Sequence, residues 1–307
     1  MTTDGTRILV IHNPVSGRRN AARLDRVLGR MRETSAQITV RETGAPGEAE
    51  TMAGEARGFD VVAVAGGDGT VNEAINGLAG LGHKAPPLAF IPLGTANILA
   101  HELGLPRSAA GLAEIVLNGE RRTAWPGSAN GRRFLLMVST GFDARVVAQV
   151  GSGLKRCLGA GAYVVSAFKE MWRSGGRCRV TVDGKDDETL DAATVIITRA
   201  RHYGGGFILA QGARLGEKKL YVVCMEGSGV WNILRYGAAL LRGQLHRLSD
   251  VQILTGISVT VEGPPGDPSE SGEADGTVQM DGDLAGTLPL EVCLDSVPVT
   301  LLAPPQR

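Results

Sequence analysis

Residues 60–73 of the chain read DVVAVAGGDGTVNE, an apolar run that leads through a glycine-rich turn toward a helix. The run Asp60–Ala65 is short, β-branched and almost entirely apolar, which is typical of a strand buried on both faces of a parallel sheet. After the turn, Thr70 and Glu73 have the spacing of a capping box, which predicts that Thr70 starts a helix. This stretch therefore predicts one strand, turn and helix unit of an α/β domain.

The turn itself has the composition of a phosphate-binding loop. Gly66, Gly67 and Gly69 allow the backbone to approach a ligand closely, and a helix N-terminus favours an anion. Asp68 is unfavourable beside a phosphate unless a divalent cation bridges the carboxylate and the phosphate. The turn thus indicates a nucleotide site that uses a metal ion. The simpler interpretation is a glycine-rich turn in which Asp68 is only a local turn residue.

Alternating strand and helix patterns extend on both sides of this unit. We predict strands at Arg7–Ile11, Gln37–Arg41, Asp60–Ala65 and Leu88–Ile91, and helices at Arg19–Thr34, Gly47–Gly58, Val71–Ala79 and Ser108–Leu117. Such alternation predicts a doubly wound α/β domain with ligand sites at the carboxyl ends of its strands. We assign residues 1–122 to this nucleotide-binding domain.

From about Thr123 short β-rich runs dominate, separated by turn signals such as Asp183-Gly184. The predicted strands are Phe134–Val138, Cys178–Val182, Ala193–Thr198, Leu220–Met225, Val251–Leu254, Ile257–Val261 and Leu290–Leu294. Two helices, Gly161–Trp172 and Val230–Leu248, and a mobile loop at Glu262–Gly276 interrupt them. This pattern predicts an antiparallel, β-sandwich-like domain at residues 123–296.

Composition excludes several classes of function. Lys plus Arg and Asp plus Glu number 32 each in 307 residues, so no global charge attracts nucleic acid. The four cysteines are far apart and predict reduced thiols in a cytoplasmic protein. No transmembrane segment is predicted, because Arg235 and Arg242 interrupt the longest apolar run. The same helix has an apolar stripe with a basic flank, which is typical of a helix packed on its own core, and interfacial contact with a membrane is the alternative. A homodimer also stays open.

Three further turns follow predicted strands. Residues 11–17 read IHNPVSG, Thr43-Gly44 follows the second strand, and residues 91–97 read IPLGTAN, with Thr95 able to cap the next helix. Each turn alone is compatible with a simple helix cap. Together they place polar loops at one edge of the sheet, which predicts a phosphorylated ligand, most simply a nucleotide.

These motifs resemble the signature blocks of the diacylglycerol kinase catalytic-domain family, which includes soluble bacterial lipid kinases and sphingosine kinases. The matching blocks are NPVSG at 13–17, GGDGTVNEAINGL at 66–78, PLGTANILAHELGLP at 92–106, STGFDARV at 139–146, YGGGF at 203–207 and MDGD at 280–283. GGDGT alone also occurs in NAD kinases and phosphofructokinases, but the VNE continuation and the GTAN block favour lipid kinases. The resemblance implies an active site between a nucleotide domain and a β-rich lipid domain, and a strand near Val297–Leu302 that returns to the first domain.

The resemblance also implies roles for individual residues. ATP would be held by Asn13, Ser16, Gly17, Thr43, Gly66, Gly67, Asp68, Gly69, Thr70, Val71, Asn72, Gly94, Thr95 and Asn97. Asp68 would act near the phosphates and the catalytic Mg²⁺, through water or through the ATP phosphates. Asp283 is the candidate base for the lipid hydroxyl, one methylene shorter than the family's glutamate. The alternative for Asp283 is an exposed acid beside an Asp-Gly hairpin turn.

Two other positions concern the lipid head group and a second metal ion. Asp143 matches a position near the lipid head group in the sphingosine kinase branch, although a helix cap is an equal alternative. In the loop Arg214–Leu220, Lys218 replaces the acidic residue that binds a structural magnesium ion in many bacterial members. We therefore predict that this metal is absent, with Lys218 supplying the charge or Glu217 partly restoring a site.

The sequence thus predicts an ATP- and Mg²⁺-dependent kinase of a lipid acceptor at a membrane surface, diacylglycerol by default. The departures at Asp283 and Lys218 leave a second hypothesis, a nucleotide- and lipid-binding protein with little turnover. A third is an NAD kinase-like enzyme with a soluble substrate.

Overall fold

A computed structural model describes residues 5–16, 21–141, 177–185, 189–263 and 276–306. The predicted helix at 161–172, most of the loop at 262–276, Gly17 and Asp143 lie outside the described residues. The chain divides into two compact units, Met1–Pro126 with Ser296–Arg307, and Gly127–Asp295.

The first unit contains one six-stranded sheet and five α-helices in its described residues. The strands are β1 Arg7–His12, β2 Gln37–Glu42, β3 Val61–Gly66, β4 Leu88–Pro92, β5 Glu120–Ala124 and β20 Val299–Ala303. The helices are α1 Ala21–Arg32, α2 Glu48–Gly54, α3 Asp68–Ala79, α4 Ile98–Leu103 and α5 Ala109–Asn118, with a 3₁₀ turn at Gly82–Lys84. The strand order is β2-β1-β3-β4-β20-β5, and only β5 runs antiparallel to its neighbour.

Helices cover both faces of this sheet, which confirms the predicted doubly wound class. Ile8 and Val10 of β1 share a core cluster with residues of α1 and α5. Leu9 and Ile11 are equally buried and point to the opposite face, because side chains alternate along a strand. The helix α3 packs against both β3 and α2. The continuous apolar runs of the central strands are explained by this burial on two sides.

The helices α2 and α3 approach so closely that only glycine fits at position 77. A Cβ atom on Gly77 would lie 2.0 Å from the carbonyl oxygen of Glu50. We expect Gly77→Ala to force the helices apart and to lower the free energy of unfolding by about 3 kcal/mol, measured by urea denaturation. Gly29→Ala in α1 is the matched control, since a Cβ atom there meets open space and should not destabilise the helix. Equal denaturation midpoints for the two variants would contradict this packing.

The second unit is a sandwich of two antiparallel six-stranded sheets. One sheet has the order β10-β9-β16-β19-β6-β7, with β6 Gly127–Ala129, β7 Arg132–Phe134, β9 Cys178–Val182, β10 Leu190–Ala192, β16 Ser258–Glu262 and β19 Leu290–Leu294. The other has the order β15-β14-β11-β8-β17-β18, with β8 Met137–Gly141, β11 Thr194–Thr198, β14 Leu220–Met225, β15 Val251–Gly256, β17 Thr277–Met280 and β18 Asp283–Thr287. A hairpin of β12 His202–Tyr203 and β13 Phe207–Ile208, the helix α6 Val230–Leu241 and a 3₁₀ turn Leu245–Arg247 complete the described part.

The two sheets share one apolar core. Val180 and Val259 of the first sheet lie in the same buried cluster as Val195, Val222 and Val278 of the second. The predicted antiparallel β-sandwich is therefore confirmed.

Two elements of this unit differ from the sequence-based prediction. The helix predicted over 230–248 ends at Leu241, because Gly243 adopts a left-handed conformation with φ of 64°. The run Phe134–Val138 is divided between β7 and β8, because the backbone N–H groups of Leu135 and Leu136 donate to the carboxylate of Asp281. Within the described residues, no helix combines the length and apolarity needed to cross a bilayer.

Candidate nucleotide-binding site

Backbone hydrogen bonds join the loops that follow β1, β3 and β4. The N–H of Asn13 donates to the carbonyl oxygen of Ala65 at 2.9 Å. The N–H groups of Leu93 and Gly94 both donate to Gly66, at 2.8 and 3.1 Å. The loops after β1, β3 and β4 therefore meet at the carboxyl edge of the sheet, where doubly wound domains bind ligands. The loop after β2 joins the same edge, because the N–H of Thr43 donates to the carbonyl oxygen of His12 at the end of β1.

Asn13 fixes the first loop and ties it to α3. Its Oδ1 accepts hydrogen bonds from the N–H groups of Val15 (3.0 Å) and Ser16 (3.3 Å). Its Nδ2 donates to Oγ1 of Thr70 at 3.0 Å. Both polar atoms of the Asn13 amide therefore form hydrogen bonds that stabilise the loop conformation.

Glycines bring the loops after β3 and β4 into backbone contact. A Cβ atom on Gly94 would lie 2.8 Å from Cα of Gly67, and one on Gly66 would lie 2.8 Å from the side chain of Thr70. A Cβ atom on Gly67 would lie 3.8 Å from Oγ of Ser16, so this hydroxyl stands near the start of α3. The absence of side chains at these glycines leaves the backbone at the start of α3 accessible to a ligand.

The capping box predicted for Thr70 and Glu73 is wrong. Gly67 is the N-cap of α3, and its extended backbone (φ −104°, ψ −177°) lets the helix begin at Asp68. Thr70 is therefore buried inside the first turn, and the carboxylate of Glu73 accepts a hydrogen bond from the N–H of Ala49 in α2 at 3.2 Å. Glu73 therefore binds the backbone of α2 instead of capping its own helix, α3.

Asp68 links the N-termini of α3 and α4. Its two carboxylate oxygens accept hydrogen bonds from the N–H groups of Ile98 (2.9 Å) and Leu99 (3.1 Å). Asp68 thus performs the capping role that was predicted for Thr95, while the residue before α4 is Asn97 in a left-handed conformation. Each oxygen accepts one hydrogen bond and keeps a further lone pair, so the carboxylate can still interact with a cation or its water.

The environment of Asp68 favours an additional positive partner. Burial raises the pKa of the Asp68 carboxyl above its usual range. The N–H groups of Leu99 and Ile98, and the charge of His101, act in the opposite direction. A bound cation would stabilise the ionised form further, so the site is suited to one. His101 was not identified from the sequence, because its electrostatic influence on Asp68 depends on the tertiary structure.

Two buried amide oxygens at the site lack a hydrogen-bond partner among the described residues. They are Oδ1 of Asn72, a residue only 7% exposed, and Oδ1 of Asn97, whose Nδ2 donates to Gly94 at 2.7 Å. Burying a polar atom without a partner costs about 1–3 kcal/mol. A hydroxyl or amino group of a ligand, or a water on a metal ion, would satisfy both oxygens. These residues therefore fit a nucleotide bound with a metal ion.

The remaining residues predicted to contact ATP differ in their exposure. Thr43 is buried at the end of β2, where its N–H donates to His12 at 2.9 Å, while Thr95 is exposed in its loop. The side chain of Val71 is buried in the core, so it cannot contact ATP, and only the backbone of this residue can contribute to the site. Arg23 was not predicted from the sequence, and its guanidinium donates to the carbonyl oxygen of Pro92 at 3.1 Å, at the end of β4.

In the second unit, Asp283 is the first residue of β18. Asp281 and Gly282 form the turn before it, both with positive φ (48° and 93°), and Met280 pairs with Asp283. Asp283 is exposed, as the hairpin alternative expects, and its role as a base stays a prediction. The buried acid is Asp281, whose carboxylate accepts hydrogen bonds from three N–H groups, including that of Met137 at 2.7 Å.

A buried arginine supplies the positive charge at the loop Arg214–Leu220. The guanidinium of Arg199, which is fully buried, donates to the carbonyl oxygens of Leu215 (3.1 Å) and Glu217. Burial lowers the pKa of Arg199 to about 10, and Glu217 and Tyr221 act in the opposite direction, so the group remains charged at neutral pH. Lys218 is exposed.

These loop residues do not fit a structural metal ion. The carbonyl oxygens of Leu215 and Glu217 already bind a cation, and a second positive charge beside it would be repelled.

A mostly parallel α/β domain with joined glycine-rich loops, followed by a β-sandwich, is the architecture of a class of two-domain kinases. Residues 7–129 match the family described as the diacylglycerol kinase catalytic domain, and residues 136–303 match the YegS C-terminal NAD kinase beta sandwich-like domain. The chain belongs to the diacylglycerol kinase family, as the relatives also show, and the resemblance found in its sequence motifs is confirmed.

The relatives cover most of the chain. The "Diacylglycerol kinase" of Bacillus subtilis (strain 168) is 30% identical over 291 residues, which is 93% of this chain and 92% of that protein. A "Probable lipid kinase YegS-like" of Pseudomonas aeruginosa (strain UCBPP-PA14) is 33% identical over 221 residues, 70% of each protein. The crystal structure of a diacylglycerol kinase from Bacillus anthracis str. Sterne superposes with a TM-score of 0.72 at 24% identity and covers 98% of both chains, which supports the fold.

Proposed function

We propose that this protein is an ATP- and Mg²⁺-dependent lipid kinase that transfers the γ-phosphoryl group of ATP to a lipid hydroxyl, with diacylglycerol as the default acceptor. Membership of the kinase family and the names of the relatives support a phosphotransferase that acts on a lipid. The single observation that carries nucleotide binding is the set of joined loops after β1, β3 and β4. The proposal places the enzyme in the cytoplasm, at the surface of the membrane that holds its substrate.

The chemistry follows from the geometry of these loops. The first N–H groups of α3 lack partners within the helix and face the glycine-rich turn, so they can bind phosphate oxygens. Bound Mg²⁺ would neutralise charge on the phosphates during transfer. Asp68 would hold that cation through its remaining lone pairs, and the amide oxygens of Asn72 and Asn97 would accept hydrogen bonds from the nucleotide or from metal-bound water.

The acceptor hydroxyl needs a base. In the proposed step, the carboxylate of Asp283 accepts the hydroxyl proton while the hydroxyl oxygen bonds to the γ-phosphorus and the bond to the ADP oxygen breaks. The exposed position of Asp283 on β18 leaves its carboxylate accessible to a substrate.

We expect Asp283→Asn to lower turnover by about 10²–10⁴-fold while ATP affinity stays within about twofold, because general base catalysis contributes that much and Asp283 is not among the nucleotide loops. Turnover is measured with diacylglycerol in mixed micelles, and ATP affinity by calorimetry. Asp283→Glu is the control, since it keeps the carboxylate and restores the family's residue. Unchanged turnover in Asp283→Asn would show that another group accepts the proton.

The function is tested by incubating the protein with radiolabelled ATP and a panel of lipid alcohols in detergent micelles, with NAD in a parallel reaction. Labelled lipid supports the proposal. ATP binding without any labelled product favours a nucleotide- and lipid-binding protein. Label in NAD alone favours an NAD kinase-like enzyme. This candidate is tested because the family matched by residues 136–303 is described as NAD kinase beta sandwich-like.

A further inference from the structure

The helix α6 exposes large apolar side chains along one face. Trp231 is 82% exposed, Leu241 is 67% exposed and Leu234 is 49% exposed. At 3.6 residues per turn these three positions fall within an arc of about 80°. The opposite side of the helix, which includes Tyr236 and Ala239, is buried in the second unit. The apolar stripe predicted from the sequence therefore points partly to solvent.

The strand β13, which lies against α6, carries a further exposed apolar side chain. Phe207 of β13 is 41% exposed, and β13 packs against α6. Eight large hydrophobic residues are exposed in the described part of the chain, and four of them belong to α6 or β13. We call Phe207, Trp231, Leu234 and Leu241 the α6 face. Isolated exposed hydrophobics are normal on protein surfaces, but a concentration of them on one helix and the strand packed against it indicates an interaction site.

The charges beside the α6 face are basic. Residues 230–249 contain no Asp or Glu, and Arg242, His246 and Arg247 are exposed at the end of the helix and in the following turn. Arg235 lies next to the apolar stripe and forms an ion pair with Asp250. The excess of positive charge is therefore local, since basic and acidic residues are equal in number, 32 each, over the whole chain.

We propose that the α6 face docks on an anionic lipid bilayer, with α6 lying in the headgroup region. A helix with Trp and Leu on one side and basic groups beside them has the properties of an interfacial helix. A second copy of the chain is a poorer match, because stable protein interfaces use about 20–30 residues a side and self-association would bring Arg242 and Arg247 toward like charges. The biological role rests on the proposed function, since diacylglycerol resides in the bilayer.

Docking is tested without ATP or substrate, by co-sedimentation with vesicles of phosphatidylcholine alone or with phosphatidylglycerol added. The native protein should sediment with the anionic vesicles, and salt should weaken this binding. The triple variant Trp231→Ala/Leu234→Ala/Leu241→Ala should lose at least about tenfold in partition coefficient. The control Ile257→Ala removes an apolar side chain that is 58% exposed outside the α6 face and should leave binding unchanged.

Fluorescence locates the contact. In a variant with Trp125→Phe and Trp172→Phe, Trp231 is the only tryptophan, as the sequence has three. Its emission should shift to shorter wavelength on anionic vesicles and be quenched by brominated lipid. An unshifted spectrum overturns the proposal. So does a triple variant that binds vesicles normally but converts a dimer into a monomer in sedimentation velocity, since the α6 face would then be a dimer interface.

Activity separates this proposal from the proposed function. The triple variant should phosphorylate a short-chain, water-soluble diacylglycerol within about twofold of the native rate and lose at least about tenfold on anionic vesicles. Loss on both substrates alike would contradict docking. A native protein that binds vesicles through the α6 face but phosphorylates no lipid would confirm docking and refute the kinase proposal.

Discussion

Asp68→Asn is expected to lower phosphoryl transfer by about 100-fold or more while the protein stays folded. Asparagine keeps one oxygen that can accept from the N–H of Ile98 or Leu99, so part of the link to α4 survives. It removes the negative charge that would hold a cation at the phosphates. We therefore expect a large loss of turnover at saturating Mg²⁺ and a loss of about 1 kcal/mol in the free energy of unfolding.

A matched control separates the catalytic role from the structural one. Ser108 caps α5 in the same unit, where its Oγ accepts a hydrogen bond from the N–H of Gly111 at 3.1 Å. Ser108→Ala should therefore cost a similar amount of stability, about 1 kcal/mol, without affecting turnover. If Asp68→Asn also loses only stability, Asp68 is a helix cap and nothing more. Turnover is measured with radiolabelled ATP, and stability by urea denaturation.

Arg199→Met is expected to lower the free energy of unfolding of the second unit by about 3 kcal/mol. The carbonyl oxygens of Leu215 and Glu217 would lose their charged donor, which is a fully buried side chain. Arg199→Lys should recover only part of this loss, because an ammonium group lacks the planar fork of a guanidinium. Thermal unfolding followed by circular dichroism measures the effect.

Lys218→Met is the control, since it removes the same charge from an exposed side chain of the same loop and should change stability by less than about 0.5 kcal/mol. A chelator should leave the melting temperature of the native protein unchanged, and Mg²⁺ should not rescue Arg199→Met. Anomalous scattering from Mn²⁺ bound at Arg214–Leu220 would contradict the prediction that this loop holds no structural metal.

The sequence predicted those parts of the fold that depend on short-range pattern. The apolar run at 60–65 identified β3, and Ser108 identified the start of α5. The polar loops after β1, β3 and β4 could be grouped because parallel strands bring their carboxyl ends to one edge. The family motifs then supplied the order of the two domains.

The errors arose where a distant residue replaced a local one. Thr70 and Thr95 both have the pattern of a helix cap, yet the cap of α4 is Asp68, thirty residues earlier in the chain. At the loop Arg214–Leu220, the sequence pattern points to Lys218 within the loop, whereas the buried arginine that binds its carbonyl oxygens, Arg199, lies just after β11. Capping patterns describe only neighbours in sequence, so they could not reveal these contacts.

The position of β20 affects how the nucleotide domain is made during translation. This strand lies between β4 and β5, yet the ribosome synthesises it after all of the second unit. The sheet of the first unit therefore cannot be completed until residues 299–303 have been synthesised. Until then, β4 and β5 present unpaired edges that another chain could occupy. A nucleotide domain expressed as residues 1–126 alone would include β5 but lack β20, so the strand that separates β4 from β5 would be missing.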